Sequence, residues 1–318
     1  MTPESHDPRL IFLASLDLNA CRIEFSSAPI VLLCGGRVNN DHDAAGGPPA
    51  VKSLRHAITN ALTDFEVFRP EEITSWHADG VFKDLMSFER ELAGICSLVV
   101  IILESEGALV ELGAFSQLAE MSEKIVAISS NLYANDDSFI NLGILRYILD
   151  KNVSSVKKYP WEILNPSTIS QEIIDDVTSD INEELAKLPK SQVFRANQNS
   201  HGMVAICELL RLFLALKEHE ILEYLEVIGI TISKEILKGQ LFLLAEFKII
   251  KKQSYSDALF YVHTNEIFHR FRLAMKDKAE SSDTLRIQMQ CREYYEANNG
   301  KHRNRNRAIA LAAKGAAK

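Results

Sequence analysis

The chain has 318 residues, 47% hydrophobic and 25% charged, with a net charge of −8. That is globular composition with core enough for about two domains. No apolar run reaches the roughly 18 residues of a membrane span, which excludes a helical membrane protein on this reading.

The N-terminus MTPESHDPRL lacks the basic and apolar regions of a secretory signal. The five cysteines are scattered without CxxC spacing, and the histidines are unclustered with no HExxH. Reduced thiols, a cytoplasmic protein and no metal site are therefore expected. Charge is uneven: residues 1–195 carry −13, residues 196–278 +1 and residues 279–318 +4. The asymmetry predicts modules with different partners.

In chain order, residues 1–28 form an N-terminal extension. APIVLLCGG (28–36) reads as a buried strand entering a Gly turn. VNNDHDAAGGPP is a loop by composition. Residues 50–65 have helical spacing, with Val51, Leu54, Ile58, Ala61 and Leu62 on one face. EVFRPEEI is a short strand stopped by Pro70. Residues 81–95 form a helix with Leu85, Phe88, Leu92 and Ile95 as its stripe. SLVVIIL is a strand, ALVELGAFSQLAEM a helix, KIVAIS a strand and SFINLGILRYILD a closing helix.

Strands alternating with helices predict βαβ units around a small doubly wound parallel sheet, an α/β domain over residues 29–155. LVVIIL lacks polar alternation, as expected of a strand covered on both faces. Residues 156–198 read as a helical connector. Residues 199–278 then give three helices and a hairpin turning at Ser256–Asp257, with Ser233 as an N-cap, the winged-helix pattern. A basic helical tail occupies residues 279–318.

Ligands of doubly wound sheets sit at the carboxyl ends of the strands, so CGGR and ESEGALVELGAF are the first site candidates. Glu111 is expected near the start of a helix beginning about Leu109, where the positive helix end keeps a carboxylate ionised. Such a group can attack a sugar carbon, stabilise an oxocarbenium ion or activate water. On composition alone, a first-turn acid that only satisfies the helix dipole accounts for Glu111 equally well. Glu104 and Glu106 can hold ribose hydroxyls or a leaving base. Gly35 and Gly36 allow close backbone approach, and Arg37 can hold a phosphate. Arg55 is either a phosphate or carboxylate partner or, with His56, part of a solvated helix face. The Gly pair lacks G-x-G-x-x-G and GK[ST] spacing, which disfavours Rossmann and P-loop sites.

The blocks VLLCGG, SLRHAI, FRPEEI, SFERELAGICSLVVIILESEGALVELGAF and SFINLGILRYI occur in that order. Together they resemble the nucleoside deoxyribosyltransferase-like effectors of bacterial retron anti-phage systems, over most of residues 29–150. The resemblance implies a flavodoxin-like catalytic domain followed by a winged-helix region. It implies a toxin that cleaves an N-glycosidic bond, with NAD+ as substrate rather than cofactor, to cause abortive infection. The partners it implies are a reverse transcriptase and its RNA-linked multicopy DNA (msDNA), within a higher-order oligomer and without membrane contact.

The family nucleophile falls on Glu111, the glycine turn on Gly107, and the strand-end pair on Glu104 and Ser105. The first ligand loop falls on Cys34, Gly35 and Gly36, and the downstream segment on Ser138, Phe139, Asn141 and Gly143. Glu89 matches a glutamate of the preceding helix, in a structural or a catalytic role. The family wording ESPGSFTELG is broken by Glu106 in place of Pro and Ala108 in place of Ser.

Duplex binding needs an excess of Lys and Arg, which the net +1 of residues 196–278 does not supply. Protein docking, alone or with nucleic acid, is expected there, and Arg303, Arg305 and Arg307 are the nucleic-acid candidates. Two other readings stand beside the effector: a winged-helix regulator that senses a nucleotide without turnover, and a transferase of deoxyribose between bases.

Overall fold

A computed structural model of the chain describes residues 7–38, 51–75, 80–133, 137–266, 268–277, 279 and 282–316. Residues 39–49 of the expected VNNDHDAAGGPP loop, with Ala50 after them, lie outside the described residues. The chain divides into two compact units, 28–74 with 92–188, and 1–27 with 75–91 and 189–318.

The first unit is built on five parallel strands, β1 (Ile30–Cys34), β2 (Glu66–Phe68), β3 (Leu98–Ile102), β4 (Ile125–Ser130) and β5 (Val156–Tyr159), in the order β2-β1-β3-β4-β5. This is the order of flavodoxin-like sheets, and it reverses between β1 and β3. Val31 pairs with Leu98 and Cys34 with Ile101, so both strands end at one edge. Every residue of β3 is buried, as its unbroken apolar run requires of a strand covered on both faces.

One sheet face carries Val31, Leu33, Val100, Ile102, Val126 and Ile128. It packs on Leu54 and Ile58 of helix α1 (Leu54–Thr59) and on Ile173, Val177 and Ile181 of helix α3 (Gln171–Lys187). Helix α2 (Glu106–Ser116) follows β3 and buries Leu112 and Phe115. A π-helical turn, Ile140–Leu145, runs into the Arg146–Lys151 helix.

Several expectations give way here. Helix α1 is far shorter than residues 50–65. Asn60 is its C-cap, and Leu62 lies beyond it, fully exposed. The expected connector is no linker: its start is strand β5, and α3 packs on the same core, so the sheet unit runs to Leu188. Ser170 caps α3, accepting from the Ile173 amide at 3.3 Å.

In the second unit three helices, Asn199–Phe213, Glu218–Val227 and Lys234–Glu246, precede an antiparallel hairpin of Ile250–Tyr255 and Ala258–His263. Ser233 caps its helix by accepting from the Ile236 amide at 3.3 Å. The expected N-terminal extension is integrated: Arg22–Glu24 is the middle strand of a three-stranded antiparallel ribbon, between Ser191–Val193 and Arg270–Arg272. The tail is likewise two packed helices, Thr284–Ala297 and Asn299–Ala316, with Ile287, Cys291, Tyr295, Ala308 and Ile309 buried.

Gly239 of the Lys234–Glu246 helix lies under the Phe82 ring, where an added Cβ would come within 2.8 Å of a ring carbon. The ring also packs edge-on against Phe88 and Phe242. Gly239→Ala is therefore expected to destabilise the chain by about 1–3 kcal/mol through overpacking, and urea titration checks it. A smaller loss of helix backbone entropy pulls the other way, since Ala favours a helix by roughly 1 kcal/mol over Gly. A net gain in stability would mean that Phe82 moves away freely.

Candidate functional site

Three side chains brace the carboxyl edge where β1 and β3 end. Glu104, just past β3, accepts from the amides of Gly36 at 3.0 Å, Leu54 at 2.8 Å and Arg55 at 2.9 Å. One carboxylate thus ties the β1 loop to the amino end of α1. Ser105 caps α2, accepting from Ala108 N at 3.2 Å, and donates its hydroxyl to the Gly35 carbonyl at 3.1 Å.

Arg55 is buried rather than on a solvated face, and of the phosphate or carboxylate partner expected for it the structure supplies a carboxylate, Glu71. Arg55 donates to the carbonyls of Leu33 at 2.9 Å and Gly36 at 3.4 Å and pairs with Glu71 at 2.8 Å. Its fork is spent on the protein's own groups. His56 is buried as well, its Nδ1 accepting from Lys52 N at 3.3 Å. Burial, with the Lys52 and Arg69 charges, pushes its pKa down.

The two glycines are explained by these braces. A Cβ on Gly36 would lie 2.9 Å from both Glu104 Cγ and Ser53 Cβ, and one on Gly35 would lie 3.1 Å from Arg55 Cβ. The close approach they permit in this structure is to protein side chains. Arg37 is exposed, and its carbonyl accepts from the Ser53 hydroxyl at 3.2 Å.

Within this frame sits Glu111. Helix α2 begins at Glu106, so Glu111 lies in its second turn and not at its start. Gly107 is exposed in the first turn, where an added Cβ would lie 3.8 Å from the Ser105 hydroxyl, and Glu106 is an exposed first-turn acid. The expectation that the helix end keeps Glu111 ionised is overturned. Burial raises its pKa, against a hydrogen bond from the buried Cys34 thiol and the Arg55 charge, and the Glu71 charge adds to the rise. Oε2 of Glu111 is buried with no hydrogen-bond partner among the described residues. A desolvated carboxyl oxygen without a partner is costly in a folded protein and marks a group kept for another purpose.

The π-helical turn borders the same helix, the Ile144 side chain lying 3.8 Å from where a Gly113 Cβ would be. Asn141 in that turn is half-buried, its amide bonded to the Ser138 hydroxyl at 3.2 Å. A Gly143 Cβ would touch the Phe139 ring at 3.4 Å. Single π turns recur at functional sites. Glu89 is buried on the Leu85–Ile95 helix, in the stretch that groups with the second unit. Glu71 was missed by the sequence reading. Its segment reads only as a strand stop, and the strand order alone brings it to Arg55. Despite partial desolvation, the Arg55 bond and charge hold the half-exposed Glu71 carboxyl below its usual range.

Arg303 and Arg307 are exposed on the Asn299–Ala316 helix, but Arg305 is buried and paired with Glu220. Arg305 is thus corrected from a nucleic-acid contact to an internal ion pair. Among the described residues, no cluster of His, Cys, Asp and Glu could hold a metal, and no helix is long and apolar enough to cross a membrane.

The fold and site define an α/β protein with a desolvated carboxyl group at the switch point of a parallel sheet. The chain belongs to the STM3845 retron effector protein family, whose model matches residues 51–252. It is similar to two Escherichia coli proteins. One, named "Retron Ec86 putative ribosyltransferase/DNA-binding protein", is 31% identical over 40% of this chain and 39% of its own length. The other, named "Retron Ec73 putative ribosyltransferase/DNA-binding protein", is 22% identical over 46% of each. The matched region spans less than half the length of these curated relatives.

Proposed function

We propose that this retron effector is an N-glycosidase of the nucleoside deoxyribosyltransferase-like type that hydrolyses NAD+, with Glu111 as the reacting carboxylate. The observation that carries this reading is the buried, partnerless Oε2 of Glu111 beside the switch point. The names of the two Escherichia coli relatives, which speak of a ribosyltransferase, support the reaction class.

The chemistry favours a cationic substrate. Departure of an ordinary nucleobase calls for a proton on the leaving nitrogen, whereas the nicotinamide of NAD+ leaves neutral. A pyridinium beside Glu111 also favours the ionised carboxylate that burial disfavours. Oε2 bonds to the anomeric carbon as the C–N bond breaks and its electron pair returns to the ring nitrogen. Water then displaces the carboxylate from that carbon, giving its proton to solvent and leaving ADP-ribose. Asn141, Ser105 and the Gly35–Gly36 loop position the sugar, and Arg37 meets the pyrophosphate. In the cell, a reverse transcriptase and msDNA hold the effector in check within a higher-order assembly, and phage infection releases it.

The test is the full chain incubated with NAD+ and, separately, with a deoxynucleoside and a free base, products being separated by chromatography. Nicotinamide and ADP-ribose in equal amounts are the expected outcome. Base exchange with NAD+ left intact would instead make the protein a deoxyribosyltransferase. Neither reaction, together with salt-sensitive duplex binding, would point to the nucleotide-sensing regulator, the reading that the three helices and hairpin favour.

A further inference from the structure

The Asn299–Ala316 helix opens on NGKHRNRNR. Lys301, His302 and Arg303 stand near its amino end, and its first turn has no acid. This is the wrong sign for that end of a helix, whose dipole favours anions and disfavours cations. The Lys301 and His302 amides both donate to the Asn298 carbonyl, at 3.0 and 3.1 Å, so free amides are not the feature of note. The side chains are.

Beside this turn lies a cavity of about 290 Å³. Lys217, Lys301, His302, Arg303 and Arg305 line it, with Glu220 as the only acid among its lining residues. Glu220 is already committed. It pairs with Arg305 and with Arg9 at 3.1 Å, and accepts from Lys217 N at 2.9 Å. It therefore leaves the outer cations of the cavity uncompensated.

Two of the residues that line the cavity hold buried donors with no acceptor among the described residues. Arg305 is donor-only, so its Nη1 donates to His302 Nδ1 at 2.9 Å, which places the imidazole proton on Nε2. Nε2 of His302 and Nε of Arg305 are both buried without a partner among the described residues, and both side chains belong to residues only 4% exposed. Buried N–H groups ordinarily find an acceptor. Both residues contribute to the cavity lining, and the exposed cations at its rim, Lys301 and Arg303, call for an anion.

We propose that this cavity is a binding site for a phosphate monoester dianion. A guanidinium fork and clustered ammonium groups match the oxygens of a terminal phosphoryl group. The small volume suits that compact head group better than a whole duplex surface. Burial and the Arg305 and Arg9 charges hold His302 down to about 4, so it adds no charge of its own to the cavity lining. The dianion has two sources, the phosphorylated end of a nucleic-acid strand and a free phosphate compound, and one experiment separates them.

The full chain is titrated with inorganic phosphate at constant ionic strength, with the thermal midpoint as readout. It is then titrated with one oligonucleotide carrying either a 5′-phosphate or a 5′-hydroxyl, with fluorescence anisotropy as readout. The comparison protein carries Lys301→Gln and Arg303→Gln, both exposed positions. Phosphate is expected to raise the midpoint, with half-saturation at least tenfold higher in the double variant. At least tenfold tighter binding of the 5′-phosphorylated strand, lost in the variant, identifies a strand end as the source. A phosphate response without that preference identifies a free phosphate compound. Absence of both effects, or equal effects in the two proteins, overturns the proposal. A second measurement needs no ligand: relieved of two cations at a helix amino end, the variant should be at least as stable as the parent chain. A lower midpoint would show that the cations serve the fold alone and would overturn the proposal too. These readouts are binding and stability, so they stand or fall apart from the role of Glu111.

Discussion

Glu111→Gln is expected to reduce the proposed NAD+ hydrolysis by about 10³-fold or more, the scale seen when a group acting directly on the reacting atoms is removed. The same change is expected to make the protein more stable at neutral pH. Glutamine keeps the shape of the side chain and deletes the charge that burial penalises. The folded-state pKa of Glu111 is raised above the unfolded value, so its proton favours the folded chain. Below the unfolded value the acid is neutral in both states and costs nothing. As pH rises through the folded pKa the charged form must be held in a desolvated place, and stability is lost. The advantage of glutamine should therefore be small near pH 4 and grow as pH rises towards 7. It should reach about 1 kcal/mol there, or roughly 2–4 °C in thermal midpoint for a unit of this size. Calorimetry across that pH range, beside an assay of nicotinamide release, checks both halves. Loss of activity with a lower midpoint would make Glu111 a structural residue. Unchanged activity would remove it from the reaction.

The pairing of higher stability with lost function is what separates a reacting group from a brace, and the sequence supplied only half of that distinction. The strands β1, β3 and β4 were legible because burial on both faces leaves unbroken apolar runs, and the hairpin because Ser256–Asp257 marks a turn between two strand-like segments. Strand β5 was not. VKKY is short and carries two lysines, as edge strands do to block further pairing, so it reads as part of a connector. The Arg22–Glu24 ribbon was hidden for a different reason: its partners Ser191–Val193 and Arg270–Arg272 lie far along the chain and show no local signal. Arg55 and Arg305 show the limit most sharply. Arg55 reads as a phosphate or carboxylate partner or a solvated cation and Arg305 as a nucleic-acid contact, and both are buried because carbonyls or carboxylates from distant segments meet them. A sequence shows which residues can carry charge. It does not show which charges the fold has already matched, and on that rests the difference between Glu104 and Glu111.

Glu104→Ala is expected to destabilise the sheet unit by on the order of 3 kcal/mol, since it orphans three backbone donors that now meet a charged acceptor. The corresponding fall in thermal midpoint is roughly 6–12 °C. Glu104→Gln should fall between Ala and the parent. Oε1 accepts from Gly36 and Arg55 and can persist as the amide oxygen, whereas Oε2, facing the Leu54 amide, becomes an NH₂ group that opposes another donor. If Glu104 instead held a ribose hydroxyl, as the sequence allowed, both variants would keep the parent's midpoint and show the change in KM. The two roles thus give opposite patterns in the same pair of proteins. The structural role also carries a consequence for catalysis: the Gly35–Gly36 loop hangs on Glu104 and Ser105, and Cys34, which donates to Glu111, immediately precedes that loop. Loosening Glu104 should therefore disturb the Glu111 carboxyl without touching it. In Glu104→Gln, measured below its lowered midpoint, the pH dependence of turnover should shift, whereas a variant that was merely less folded would lose amplitude at an unchanged pH profile.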